Sequence, residues 1–160
     1  MKDQIEKFIK YHIATTRRVW ESIEQISNEQ FLQDDAYSRG SIRNLMVHIS
    51  STDLVWMTGL KSEPRIRHLG PEQYPTRESG RALFEQLAAE LTAFVASLTE
   101  ADLEASTAEV TEPRWLILMH IVNHGTDHRA TVLQKLYEFG APTFNQDFVI
   151  WHWEQKEAKA

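Results

Sequence analysis

Three histidines, His120, His124 and His128, recur at every fourth position of one stretch of the chain. On a helix that spacing stacks the imidazoles along one side, with successive Cβ atoms only about 6 Å apart. Two such neighbours can ligate one metal ion from a single rigid element. The zincin helix motif does this, but the glutamate it requires is absent, since Gly125-Thr126-Asp127 follow His124. A zincin-type protease is therefore not indicated. Two ligands rarely complete a site, so a third is expected from another helix, and His48 is the obvious supplier. Leu45, Thr52 and Trp56 share its helical face, which turns it toward an interior. Gly125, beside His124, removes a side chain where a neighbouring helix or a ligand needs close approach. The alternative pair His120 and His124 has the same spacing as His124 and His128, and spacing alone leaves both open.

The chain holds seven histidines and no cysteine. Disulfides, thiolate zinc sites, iron–sulfur clusters and a cysteine nucleophile are thereby excluded, and any metal must sit on imidazole or oxygen. His12, among Phe8, Ile9 and Thr16, reads as a hydrogen-bonded core residue. His68, in a proline-rich stretch, reads as solvated, and His152, between two tryptophans, as a surface or packing residue. Asp53, Glu85 and Tyr11 are polar residues on predicted helices, with no pattern that assigns them a catalytic role.

The elements that must position these side chains are helical. Apolar residues at 5, 8, 9, 13, 19, 20, 23 and 26 fall in threes and fours, predicting a first helix to about residue 27 or 28. A connector carries Phe31-Leu32 and Asp34-Asp35. Ser41 then reads as the N-cap of a second helix through about Gly59, which carries His48. Pro64, Gly70, Pro71 and Pro75 make 61–76 a long crossover loop. A third helix is expected from Thr76-Arg77-Glu78-Ser79 to about Thr99. Residues 102–111 alternate weakly, which predicts an extended segment or short hairpin. The fourth helix, with the histidine run, begins after Glu112-Pro113 and stops at Gly140 and Pro142. A short helix within 144–157, carrying Phe148, Trp151 and Trp153, should pack on the outside.

Four amphipathic helices around one core describe an all-α four-helix bundle, and 160 residues, 42% of them hydrophobic and 25% charged, suit a single domain spanning 1–160. A net charge of −6 argues against nucleic acid as a partner. No apolar run approaches the ~20 residues of a membrane span and no signal peptide is evident, so the expected location is the cytoplasm and the expected partner a small-molecule substrate.

The segments Ser41-Ile42-Arg43-Asn44-Leu45-Met46-Val47-His48-Ile49 and His120-Ile121-Val122-Asn123-His124-Gly125-Thr126-Asp127-His128-Arg129, with the proline-bounded helix end and aromatic tail that follow, resemble the DinB family (DinB/YfiT-like metalloenzymes) over essentially the whole chain. Ala130 stands where the family often has glycine. The resemblance implies a four-helix bundle of up-down-down-up topology, commonly a homodimer, with a divalent metal held by three histidines. Carried over residue by residue, these are His48, His124 and His128, with His128 fixed by Arg129. Three neutral imidazoles leave the ion its full charge and an open position, and nitrogen ligation fits zinc or nickel. The resemblance further implies a low-molecular-weight thiol as co-substrate of a thiol S-transferase or related detoxification enzyme, with hydrolysis the other reaction such a centre supports. The alternative reading is a non-catalytic, metal-stapled bundle that binds or senses a small molecule.

Overall fold

The computed structural model describes residues 1–158, and among them every regular element is helical. The α-helices are α1 (Lys2–Ile23), α2 (Asn28–Leu32), α3 (Ile42–Leu60), α4 (Arg77–Ser97), α5 (Glu100–Glu104), α6 (Arg114–Glu138) and α7 (Phe148–Glu157). A single 3-10 turn, Pro71–Gln73, interrupts the proline-rich connection. No helix among the described residues is long and apolar enough to cross a membrane.

The boundaries follow local chemistry. Ser41 caps α3 by accepting from Asn44 N, and Thr76 forms a capping box with Ser79 at the start of α4, as their side chains predict. Gly140 ends α6 at φ +75°, a conformation that costs an L side chain energy and glycine very little. Two expectations need correction. The connector after α1 contains α2, because Ser27 and Gln30 build a full capping box there. The extended segment or hairpin expected over 102–111 begins instead as α5, with no strand. Thr99 Oγ1 accepts from Asp102 N while Asp102 accepts from Thr99 N. That reciprocal cap outweighs a weak alternation of side chains.

The long helices pack in a closed circuit: α1 lies against α6 and α4, and α3 against α6 and α4. Ile5, Ile9, Ile13, Val19, Trp20 and Ile23 of α1 supply one wall of the core, and Leu45, Met46 and Ile49 of α3 supply another. Leu118, Ile121, Val132 and Leu136 of α6 complete the interior between them. α6 therefore lies between α1 and α3. α7 packs on α1 through Phe148, whose ring stacks on Phe8 at 4.2 Å.

Candidate metal centre

His48 of α3 and His124 and His128 of α6 converge, each offering a ring nitrogen within 4.8 Å of the others. The fourth-residue spacing brings the His124 and His128 rings to 4.4 Å, and α3 brings the His48 ring to 4.9 and 4.8 Å from them. Nε2 of His48 and Nε2 of His124 stand 3.1 Å apart. Two nitrogens bound to one ion at about 2.0–2.1 Å are separated by about 2.9–3.4 Å for angles between 90° and tetrahedral, so this spacing fits neighbouring ligands of a single cation. As a purely hydrogen-bonded cluster the set is under-satisfied: Nδ1 of His124 and Nδ1 of His128 are buried with no partner. As a donor set it is coherent.

Half-burial keeps the three rings uncharged. Desolvation is the largest influence on each, with neighbouring charges adding to it at His48 and His124. It lowers His48 from the ordinary 6.5 to about 4 and His124 to about 3, and it also lowers His128, although the Asp127 carboxylate opposes that fall. Neutral imidazole is the form that ligates metal, so at pH 7 no proton need be expelled. Among the described residues no fourth histidine or carboxylate joins the group.

His120 does not take part. It is exposed, and its ring meets Trp56 edge-on at 5.3 Å and lies 6.0 Å from that of His124. Of the two equally spaced pairs in α6, the structure brings only His124 and His128 together with His48. His152 stacks on Phe148 at 6.3 Å, away from the cluster, as expected of a packing residue.

His12 is fully buried and bonded at both nitrogens. Nε2 lies 2.9 Å from Asp53 Oδ2, and Nδ1 accepts from Arg129 Nη1 at 2.9 Å. Because arginine can only donate, the proton of His12 belongs on Nε2, where it is donated to the carboxylate. Arg129 also donates to Thr16, Thr126 and Gln146, and its guanidinium lies over the Tyr11 ring. Gly125 makes this possible. A Cβ there would fall 2.3 Å from His12 Cε1 and 2.5 Å from its Nδ1. The close approach expected at Gly125 is thus made by α1. Arg129, the neighbour of His128, anchors α6 to α1 and, through His12, to Asp53 of α3. Asp53 and Tyr11 belong to this buried network, while Glu85 pairs with Arg17 near the surface.

His68 is solvated, as expected, but not free. It is exposed, yet it is held: its Nδ1 lies 3.1 Å from Ser51 Oγ, and Ser51 Oγ in turn accepts from Leu69 N at 2.7 Å. Its ring sits 5.7 Å from that of His48, so the proline-rich connection lays it at the mouth of the cluster. The sequence signal was faint: a serine one turn after His48, facing a loop of unknown path. Beside the cluster opens a cleft of about 300 Å³ lined by Arg39, Asn44, His48, His68, Leu69 and Pro71.

Among curated proteins none matches this sequence. The DinB family model matches residues 1–159, essentially the whole chain. The motifs on α3 and α6, and the meeting of their histidines, accord with that match, and the chain belongs to the DinB family.

Proposed function

We propose that His48, His124 and His128 hold a divalent cation, zinc or nickel by donor type, and that the protein is a metal-dependent S-transferase joining a low-molecular-weight thiol to a small electrophile. The observation that carries this reading is a set of three neutral imidazoles, without a fourth protein ligand among the described residues, beside an accessible cleft. A structural staple would be closed by that fourth ligand. When bound, such an ion supplies Lewis acidity that favours thiolate over thiol at neutral pH. The protein's own part is to orient. α6 fixes two imidazoles on one rigid face, the Arg129 network fixes α6 against α1 and α3, and the half-buried rings exclude bulk water from one side. In the transfer the thiol sulfur bonds to the electrophilic carbon, the leaving group departs with its electron pair, and the thiol proton passes to solvent. The reading includes the up-down-down-up order of a four-helix bundle for α1, α3, α4 and α6, and a homodimer as the working form.

Metal analysis of purified untagged protein, with conjugation assays over a panel of thiols and electrophiles before and after chelation, tests it. Stoichiometric metal and chelator-sensitive turnover are expected. Metal-loaded protein with no turnover on any thiol would overturn the transferase and leave a binding protein, and protein that takes up no divalent metal would overturn the site.

A further inference from the structure

The cleft beside the three histidines carries chemistry of its own. Arg39 and His68 line it from two different connections, 33–41 and 61–76, together with His48. The Arg39 guanidinium makes no hydrogen bond or ion pair among the described residues, although other arginines with side chains to spare, Arg17, Arg18 and Arg81, each find a glutamate. Arg39 is exposed, and the surface it lines is that of the cleft beside His48. Its backbone is also held: Asn44 Nδ2 donates to Arg39 O at 3.0 Å, and the turn around it passes through positive φ at Ser38 and Gly40.

His68 is oriented as a donor. Ser51 Oγ already accepts from Leu69 N, and its own hydrogen has no other acceptor among the described residues, so it is donated to His68 Nδ1. The proton of His68 then sits on Nε2. Leu69 and Pro71 give the rest of the cleft an apolar wall. A permanent cation and an N–H donor over an apolar wall, one ring away from a metal-binding set, form a receptor for an anionic group on a molecule whose reacting atom lies at the histidines.

We infer that this cleft seats a carboxylate of the thiol co-substrate, with Arg39 as the charge partner and His68 as a specificity-determining donor. The inference rests on the metal-centre reading and names the ligand class that site takes. A planar two-oxygen anion matches the guanidinium fork, and a co-substrate anchored at its carboxylate presents its sulfur to the cluster in a fixed pose. A neutral thiol lacks that anchor.

The test compares 3-mercaptopropionate with its neutral amide, equal in length and thiol chemistry, by calorimetric titration into metal-loaded protein, after the metal content of each variant has been measured. The wild type should bind the acid about tenfold or more tightly than the amide, a preference that weakens as salt is raised. Arg39→Ala should bring the two ligands to near equality with full metal occupancy and unchanged affinity for the amide. His68→Ala should reduce the preference by a smaller factor, and Arg39→Lys should retain part of it. Equal binding of acid and amide by the wild type, or a preference that survives Arg39→Ala, overturns the inference and leaves the metal-centre reading standing. If metal-loaded wild type binds neither ligand, the thiol reading falls and the inference with it.

Discussion

His12 and the clustered trio of His48, His124 and His128 lie close together, for His12 packs against Gly125, the residue next to His124. Their environments are opposite. His12 has no exposure and a protein partner at each ring nitrogen, with a carboxylate on one side and a guanidinium on the other. The trio is half-buried, its rings face one another, and two Nδ1 atoms have no partner. A satisfied buried histidine joins helices; an under-satisfied cluster at a mouth is built to accept something. Burial alone would have chosen the wrong residue, because the most buried imidazole in the chain is the one whose valences are already used.

Substitution should separate the two roles, and the largest effect falls on metal. His48→Ala or His128→Ala is expected to abolish stoichiometric divalent-metal binding, whereas His12→Ala lowers stability yet leaves the folded protein able to bind one equivalent, and His152→Ala changes neither. Metal content of purified untagged variants, read beside circular dichroism, decides this. Full occupancy without His128 would erase the distinction between trio and His12.

On the other side of the comparison, Arg129→Met should leave the buried Asp53–His12 pair without its cation. Removing one member of a buried charged network is expected to destabilise by about 3–5 kcal/mol, measured by urea unfolding. Arg17→Met sets the baseline. The Arg17–Glu85 pair has side chains 42% and 38% exposed, and solvent screening limits its contribution to about 0.2–1 kcal/mol. Equal losses from the two variants would mean that the Arg129 network does no more than a surface pair.

Gly125→Ala probes the seam between the regions. Its Cβ would collide with the His12 ring, and the expected destabilisation is about 1–3 kcal/mol. With His12→Ala as background the clash with the imidazole is removed and the one close contact left is Arg129 Nη1 at 2.9 Å, the end of a flexible side chain, so the same change should cost less than about 1 kcal/mol, offset by alanine's better helix propensity. A double-mutant cycle reads the difference, and additivity would show that His12 does not set the requirement for glycine.

The parts of this arrangement legible in the sequence are those fixed by local rules. The α3 and α6 boundaries follow from Ser41, Pro113 and Gly140, and the i, i+4 spacing that presents His124 beside His128 needs only helical geometry. What decided between His124 with His128 and His124 with His120 was the contact of α3 with α6, a tertiary fact. The family motif anticipated it; spacing did not. His68 is exposed as read, but its bond to Ser51 was not legible because that neighbour lies across a loop whose path no local rule dictates. Asp53 looked like any helical carboxylate until α1 brought His12 to it. The short helices α2 and α5 were legible in principle, since Ser27 with Gln30 and Thr99 with Asp102 are capping pairs, but so few residues leave no hydrophobic period to find.

The smallest effect expected is on the stability of metal-free protein near neutral pH, and its pH window distinguishes the trio from the acid denaturation of paired carboxylates, which sets in at lower pH. Below about pH 6.5 the unfolded chain protonates these rings, whereas in the folded chain His48 stays neutral to about 4 and His124 to about 3. Within that window the unfolded state binds more protons, so the stability present above pH 6.5 drains away as the pH falls toward those folded values. The rings are half-exposed, so solvent screening keeps the effect small. Chelated His124→Phe, which cannot take up that proton, should show a flatter decline than chelated wild type when unfolding midpoints are compared from neutral pH into mild acid. Loading wild type with metal should displace its decline to lower pH, because a proton must then compete with the cation for the same nitrogen. Identical slopes for wild type and His124→Phe would place the acid sensitivity elsewhere, among the paired carboxylates, and would remove the proton linkage that sets the trio apart from the buried network.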